Sequence, residues 1–264
     1  MNRFLVIIIF LGFLSPTSFA QKNSSVITLN DNENAVFKNE WSIGARLHTN
    51  GLSAYFERVW IKSIWKKRVI QTNFFYYQDF KQKKVKSPYA EVFNTSGYFY
   101  GKQNNFWNVN ALYGSKKVLG EKAEKNGVRV SMVYLGGVSL GLLKPYGLEI
   151  VEEDNFFVST PPETVVRFYD ENNPDVFLNP FNSNTRIFGA AGLRSGWNKI
   201  RPIAGVHAKF GFNFDWAGKE NIVKSIELGA QVDVYYRKLP VMITSRSRPY
   251  IFNLYLAYQM GKRY

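Results

Sequence analysis

The chain has 264 residues, 45% of them apolar and 17% aromatic, with two histidines, no cysteine and a formal net charge of +14. The missing thiols exclude disulfides, lipoprotein anchoring and a thiolate metal site. Two distant histidines without a carboxylate motif supply no metal site by spacing either, so no cofactor is expected.

Met1 to Ala20 starts with Arg3, runs apolar from Phe4 to Leu14, breaks at Ser15-Pro16 and offers the small-x-small site Ser18-Phe19-Ala20 before Gln21. This is the pattern of a secretory signal peptide, cleaved near Ala20. Its apolar run of eleven residues is too short for a bilayer span, which needs about 20. Cleavage removes Arg3 and leaves a net charge of +13. Outside the cytoplasm nucleic acid is not an expected partner. A basic surface there fits phosphate-bearing lipid head groups, lipopolysaccharide or acidic envelope partners. No long apolar segment follows the leader, so any membrane insertion of the mature chain is by strands.

Residues 21–40 are polar and without period, and read as a periplasmic N-terminal segment. From Trp41 the chain alternates: Trp41, Ile43, Ala45 and Leu47 face one way, Ser42, Gly44, Arg46 and His48 the other. Asn50-Gly51 then reads as the φ-positive pair of a tight hairpin. A second strand runs from Leu52 to about Ile61, where adjacent Glu57 and Arg58 cannot both face inward. Lys62–Arg68 is a basic turn, and a third strand follows through Val69 to Phe80, its aromatic run Phe74–Tyr77 leaving the facing ambiguous. After a lysine-rich stretch (Lys81, Lys83, Lys84, Lys86) that reads as a solvated loop, Gly97–Gln103 and Phe106–Lys116 read as a pair joined near Asn104-Asn105. Trp107, Val109, Ala111 and Tyr113 lie on its lipid face.

A long strand starting near Val128 ends at Lys144-Pro145, because proline cannot donate to a central ladder; Gly136, Gly137 and Gly141 within it read as corner-turning positions. Val151–Lys199 carries four prolines and little alternation, yet is rich in aromatics. A connection of that length is functional or disordered, and its aromatics predict that it folds over or into a barrel mouth. Ala204–Trp216 and Ile226–Tyr236 then alternate cleanly, as does Arg248–Tyr264, which ends on an aromatic residue.

Strands near residues 41, 52, 69, 97, 106, 128, 147, 203, 223 and 249 predict an all-β, transmembrane antiparallel β-barrel over 41–264. About ten strands are expected, with eight or twelve as alternatives, and one long extracellular loop over 151–199. Parity assigns Phe210, Phe212, Phe214, Val232, Val234, Leu254 and Leu256 to lipid. It assigns Arg46, His48, His207, Lys209, Asp215, Glu227 and Asp233 to a polar lumen network whose mixed signs cross-link rather than conduct. Tyr264 is the expected assembly signal.

The stretches Arg46-Leu47-His48-Thr49-Asn50-Gly51, Tyr100-Gly101-Lys102-Gln103-Asn104-Asn105, Gly141-Leu142-Leu143-Lys144-Pro145-Tyr146 and Phe252-Asn253-Leu254-Tyr255-Leu256 resemble a poorly characterised outer-membrane β-barrel family of Bacteroidota. The resemblance covers most of the mature chain and carries no motif that names a reaction. It implies an integral outer-membrane location and a C-terminal strand read by the barrel-assembly machinery. It also implies a role as scaffold or accessory subunit of an envelope complex for secretion or barrel assembly, with other envelope proteins as partners. A small transport barrel is the first alternative. The second is an outer-membrane lipid hydrolase, which would need His48 or His207 paired with a serine such as Ser42 or Ser53. No catalytic residue is expected, and calcium at Glu152, Glu153, Asp154, Asp170, Glu171 and Asp175 lacks EF-hand spacing.

Overall fold

The computed structural model describes residues 37–87, 93, 95, 97–121, 127–151, 163–171, 177, 186–192, 194–219 and 221–264. The signal peptide, most of the 21–40 segment and the acidic positions Glu152, Glu153, Asp154 and Asp175 lie outside the described residues.

The strands are β1 (Asn39–His48), β2 (Gly51–Ile61), β3 (Lys66–Tyr77), β4 (Lys84–Val85), β5 (Tyr98–Phe99), β6 (Asn104–Gly120), β7 (Arg129–Pro145), β8 (Gly147–Val151), β9 (Thr164–Phe168), β10 (Arg186–Ala190), β11 (Arg201–Asp215), β12 (Ile222–Leu239) and β13 (Arg248–Arg263). Eight of them close into an antiparallel barrel in the order β1-β13-β12-β11-β7-β6-β3-β2. The expectation of about ten strands is thereby corrected to eight. The segment near 97 pairs only over Tyr98–Phe99, with Lys84–Val85, before Gly101 at φ 63 turns the chain into β6. The segment near 147 leaves the barrel because Pro145 ends the β7 ladder; β8 pairs instead with β9 and β10 in a separate sheet of three strands. The stretch read as structureless therefore contains two strands and a 3-10 turn at Trp197–Lys199.

Boundaries also move: β3 spans Lys66–Tyr77 rather than Val69 to Phe80, so Lys67, read as part of a basic turn, belongs to the barrel. β1 begins at Asn39, so Asn39 and Glu40 belong to the barrel. In the first hairpin His48 pairs with Gly51, so Thr49-Asn50 form the turn and Gly51, at φ 138, opens the next strand. An L side chain rarely adopts that dihedral.

The turns 62–65, 121–128 and 216–221 lie at one end of the barrel together with its first and last residues. There Asn39 and Tyr264 exchange backbone hydrogen bonds of 3.0 and 2.9 Å. The connections 78–103, 146–200 and 240–247 lie at the other end, with the two-residue turn Thr49-Asn50. Alternation settles the ambiguous third strand: Val69, Gln71, Asn73 and Phe75 point inward, Ile70, Phe74 and Tyr76 outward. Outward positions on all eight strands are apolar and exposed over most of their length, forming a continuous belt.

Candidate functional site: the charged lumen and its capped mouth

Period-two alternation puts every second residue of each barrel strand inside, and those residues are unusually polar for a protein interior. On the inward face, among the described residues, the carboxylates Glu40, Glu57, Asp215, Glu227 and Asp233 share the lumen with the cations Arg46, Lys67, Lys116, Lys209 and Arg263, all buried; Arg46 hydrogen-bonds none of the carboxylates. The two sets balance in formal charge, which is what makes so many buried ions tolerable.

They are arranged in layers. Nearest the short-turn end, Arg263 donates to Glu40 at 3.0 Å and to Asp215, and Lys67 donates to Glu40 at 3.1 Å. Above them Lys116 donates to Glu57 at 2.9 Å. Lys209 then bridges Glu227 at 2.7 Å and the Gln71 carbonyl at 3.0 Å, while the Tyr255 hydroxyl donates to the same Glu227 oxygen at 2.9 Å. Arg46, 1% exposed, lies 3.9 Å over the Tyr55 ring and 5.2 Å from that of Tyr255, a stacking that suits a planar guanidinium. The Tyr55 ring fits because Gly44 carries no side chain: a Cβ there would stand 2.5 Å from it.

Nearer the long-loop end, Asp233 Oδ1 is the hub of a second network. It meets His207 Nδ1 at 2.8 Å and accepts from Ser139 at 2.8 Å and Asn108 at 2.9 Å. Asn110 stands 3.1 Å from the same histidine nitrogen. His48 Nε2 lies 2.7 Å from Ser53 Oγ. The seven lumen residues expected from parity all lie inside, and six of them take part in these layers or hubs; His48, half-buried, is at the rim. Of the seven expected lipid-facing residues, Phe210, Phe212, Val234, Leu254 and Leu256 are exposed on the outer face, while Phe214 and Val232 share that face half-buried.

Neither histidine is arranged for nucleophilic catalysis. The Ser139 hydroxyl donates to the carboxylate rather than to His207. The His48–Ser53 pair has no orienting group, since His48 Nδ1 finds no partner among the described residues, and Ser42 bonds neither ring. A triad needs both contacts. Among the described residues no three metal-ligating side chains converge.

Above these layers the described residues of the mouth pack apolar side chains together. Phe106, Leu143, Ile203, Tyr235, Leu239, Val241, Met242 and Ile251 form one buried apolar cluster. Val241 and Met242 come from the β12–β13 connection, which crosses the opening: the Val241 carbonyl accepts from the Gln103 and Asn104 amides at 2.9 and 3.2 Å, and the Asn104 side chain donates to Pro240 O at 2.6 Å. β6 and β12 are three places apart in the barrel order, so these bonds strap one wall to a distant one. Tyr98, Tyr146, Leu148, Ile150, Phe177 and Ile187 form a further cluster with Ile243 packed against it. The described residues Tyr146, Leu148, Ile150, Phe177 and Ile187 of the 146–200 connection thus pack onto the strap residue Ile243. Lys102 is buried beside it with its ammonium over Phe99 at 4.7 Å and Tyr146 at 5.4 Å; burial pushes it down to about 8.

The sequence reading missed Glu40, Glu57, Lys67, Lys116 and Arg263, and the tyrosines Tyr55 and Tyr255. Parity extended one step would have found Arg263 from Gly261. Glu40 was hidden by placing the first strand two residues late. Lys116 sits after Gly114-Ser115, where alternation on β6 is locally disturbed and both Ser115 and Lys116 are buried.

No protein-family model and no curated protein matches the chain. Among solved structures it is similar to Ail, the attachment invasion locus protein of Yersinia pestis, at 9% identity and a TM-score of 0.42, over 86% of this chain and 99% of that one. It is similar to Neisserial surface protein A at 6% identity and a TM-score of 0.39, over 86% and 96% of the two chains. To the N-terminal β-barrel domain of Pseudomonas aeruginosa OprF it is 6% identical with a TM-score of 0.34, over 86% and 99%. At these scores the barrel stands on the chain's own pairing registers.

Proposed function

We propose that this chain is an integral outer-membrane barrel that neither conducts nor catalyses, and that it serves as a scaffold or accessory subunit of an envelope complex for secretion or barrel assembly. The observation that carries the reading is a lumen cross-linked by paired charges and strapped at its mouth, beneath a folded cap. An interior so filled leaves the outer wall and the cap as the working surfaces. The outer-membrane placement is supported by the belt of exposed apolar side chains, which includes Leu47 at 59%, Val206 at 59% and Phe252 at 56%. A water-soluble protein seldom exposes contiguous apolar patches beyond a few hundred Å², and a closed barrel is one of two architectures that satisfy their backbone in lipid. The long connections would then face outward and the short turns the periplasm.

The subunit role is tested by isolating the tagged protein from outer membranes in mild detergent and identifying what co-purifies by mass spectrometry. A stoichiometric set of envelope proteins supports it. A lone barrel that passes discrete currents in planar bilayers, or that releases fatty acid from phospholipid, replaces it with transport or lipid chemistry.

A further inference from the structure

Ten of the charged side chains on the barrel strands line the lumen; others, among them Arg58, Lys66, Arg68, Lys117, Lys224 and Lys262, point outward near the short-turn end, and two of these flank a tryptophan. Arg58 and Lys262 point outward, on the face that Ile43, Phe56 and Met260 share. Register places them on either side of Trp41, which pairs with Arg58 on β2 and with Lys262 on β13. Two inter-strand spacings separate their backbones by about 10 Å. Each is next in sequence to an inward residue that is paired, Glu57 and Arg263. Neither has a carboxylate partner of its own among the described residues. The Arg58 guanidinium lies 5.6 Å from the Trp60 ring, which holds it against the wall.

Directly above this cluster, away from the short-turn end, the wall is hollow. Two adjoining cavities of about 550 and 520 Å³ share Ala45, Ala54, Phe74 and Tyr258. The hollow arises because Ala45 and Ala54, cross-strand partners, are small where their neighbours along the strands, Ile43, Leu47, Leu52 and Phe56, are large. It is a shallow apolar depression on the outside of the barrel, and Ile43, Phe56 and Met260 at its edge stand next on the same face to Trp41, Arg58 and Lys262.

We propose that this face of β13, β1, β2 and β3 binds one anionic phospholipid of the periplasmic leaflet. Its phosphate sits between Arg58 and Lys262 over Trp41, and an acyl chain lies in the hollow floored by Ala45 and Ala54. The inference rests on the membrane-spanning reading above. Outward-facing cations are costly in hydrocarbon but are accommodated at its edge, where tryptophan also settles. A guanidinium matches phosphate oxygens in bidentate geometry, and the ammonium supplies the second charge. Phospholipid is chosen over a protein occupant because the cations bracket the end of the hollow, as a lipid with a charged head and an apolar tail requires.

The mature protein is reconstituted into nanodiscs of phosphatidylglycerol and phosphatidylethanolamine, released into mild detergent and weighed by native mass spectrometry. One retained phosphatidylglycerol per barrel is expected. Retention should fall roughly tenfold in the Arg58→Gln/Lys262→Gln double variant, the scale of losing charge-assisted hydrogen bonds. Ala54→Trp, which fills the hollow and leaves both cations in place, should fall as far, and Lys117→Gln, an outward cation of β6 at the same rim, should match the unaltered protein. Equal retention in all four overturns the site and leaves unspecific lipid contact, as does an Ala54→Trp barrel that holds its lipid. A chain that fails to reach the outer-membrane fraction overturns the membrane reading itself. A folded barrel shift on unheated gels confirms that each variant assembled.

Discussion

Arg263 reaches back across 223 residues of chain to Glu40, donating from Nε to Oε2 at 3.0 Å, at the register position where the last strand meets the first. The barrel is closed there by a buried ion pair as well as by backbone. Lys67 and Asp215 extend it on either side. Arg263→Met should leave Asp215 without its guanidinium and Glu40 with Lys67 alone. Removing one partner of a buried pair costs about 3–5 kcal/mol, read as a lower urea midpoint in tryptophan fluorescence of the refolded barrel. Adding Asp215→Asn, which neutralises the carboxylate that has lost its guanidinium while Glu40 keeps Lys67, should recover part of that loss. A midpoint unchanged by Arg263→Met would mean that the backbone ladder alone closes the seam.

The outer belt makes its own prediction. Phe210, 47% exposed, pairs with Tyr134 and Ala230 near the middle of its neighbours. Phe210→Arg should cost about 2–4 kcal/mol in a bilayer, the range for arginine at the midplane. In water an exposed position would accept arginine at almost no cost. Folding yields into vesicles, compared with Lys224→Arg at the rim, decide between these environments. Lys209, by contrast, faces inward on the adjacent residue and should be insensitive to the lipid chosen.

Alternation made most of this architecture legible. On β11 and β12 each inward residue of the sequence reading lies inside, because a regular pleat leaves side chains no other choice. What failed was local. Strand count was inflated at Tyr98 and Gly147, where short alternating segments pair outside the barrel; period alone cannot say which partner a strand takes. The identity of charge partners was likewise hidden. Glu57 and Lys116 lie 59 residues apart and meet over the intervening strand β3 rather than within one ladder. The mouth strap left no signal at all, since Val241 and Met242 act through their position over the opening and not through any pattern around them.

Lys102 ties the cap to pH. Burial lowers its ammonium from 10.5 to about 8, whereas the ring faces of Phe99 and Tyr146 favour the charged form. Between those values the unfolded chain holds the proton and the folded chain sheds it, so stability rises with pH across that window. Below about 8 both states are protonated and the full burial cost of the charge remains. Lys102→Met should therefore stabilise the protein at pH 7, and its advantage should shrink as pH climbs toward 10.5. Denaturation midpoints of the two proteins from pH 7 to 10 check this; parallel curves would show that the rings fully compensate burial.

The sealed interior sets the expectation for conductance. A current must pass the apolar cluster around Phe106 and Tyr235, whose rings meet edge to face with centroids 5.5 Å apart, and then the charged layers centred on Lys209–Glu227 and Glu57–Lys116. These are two seals in series, and of different chemistry. Phe106→Ala removes part of the first and leaves the second, because Lys209 and Glu227 belong to β11 and β12, and Lys116, though also on β6, stands ten residues along the strand from the substitution. Neither the unaltered barrel nor Phe106→Ala should give discrete steps in a planar bilayer. Combining Phe106→Ala with Lys209→Ala and Glu227→Ala takes out one charged layer while keeping the lumen neutral, and should admit small ions at a reduced folding yield. Steps from the unaltered protein would show that the charged layers move apart, and would put the small-channel alternative ahead of the scaffold reading.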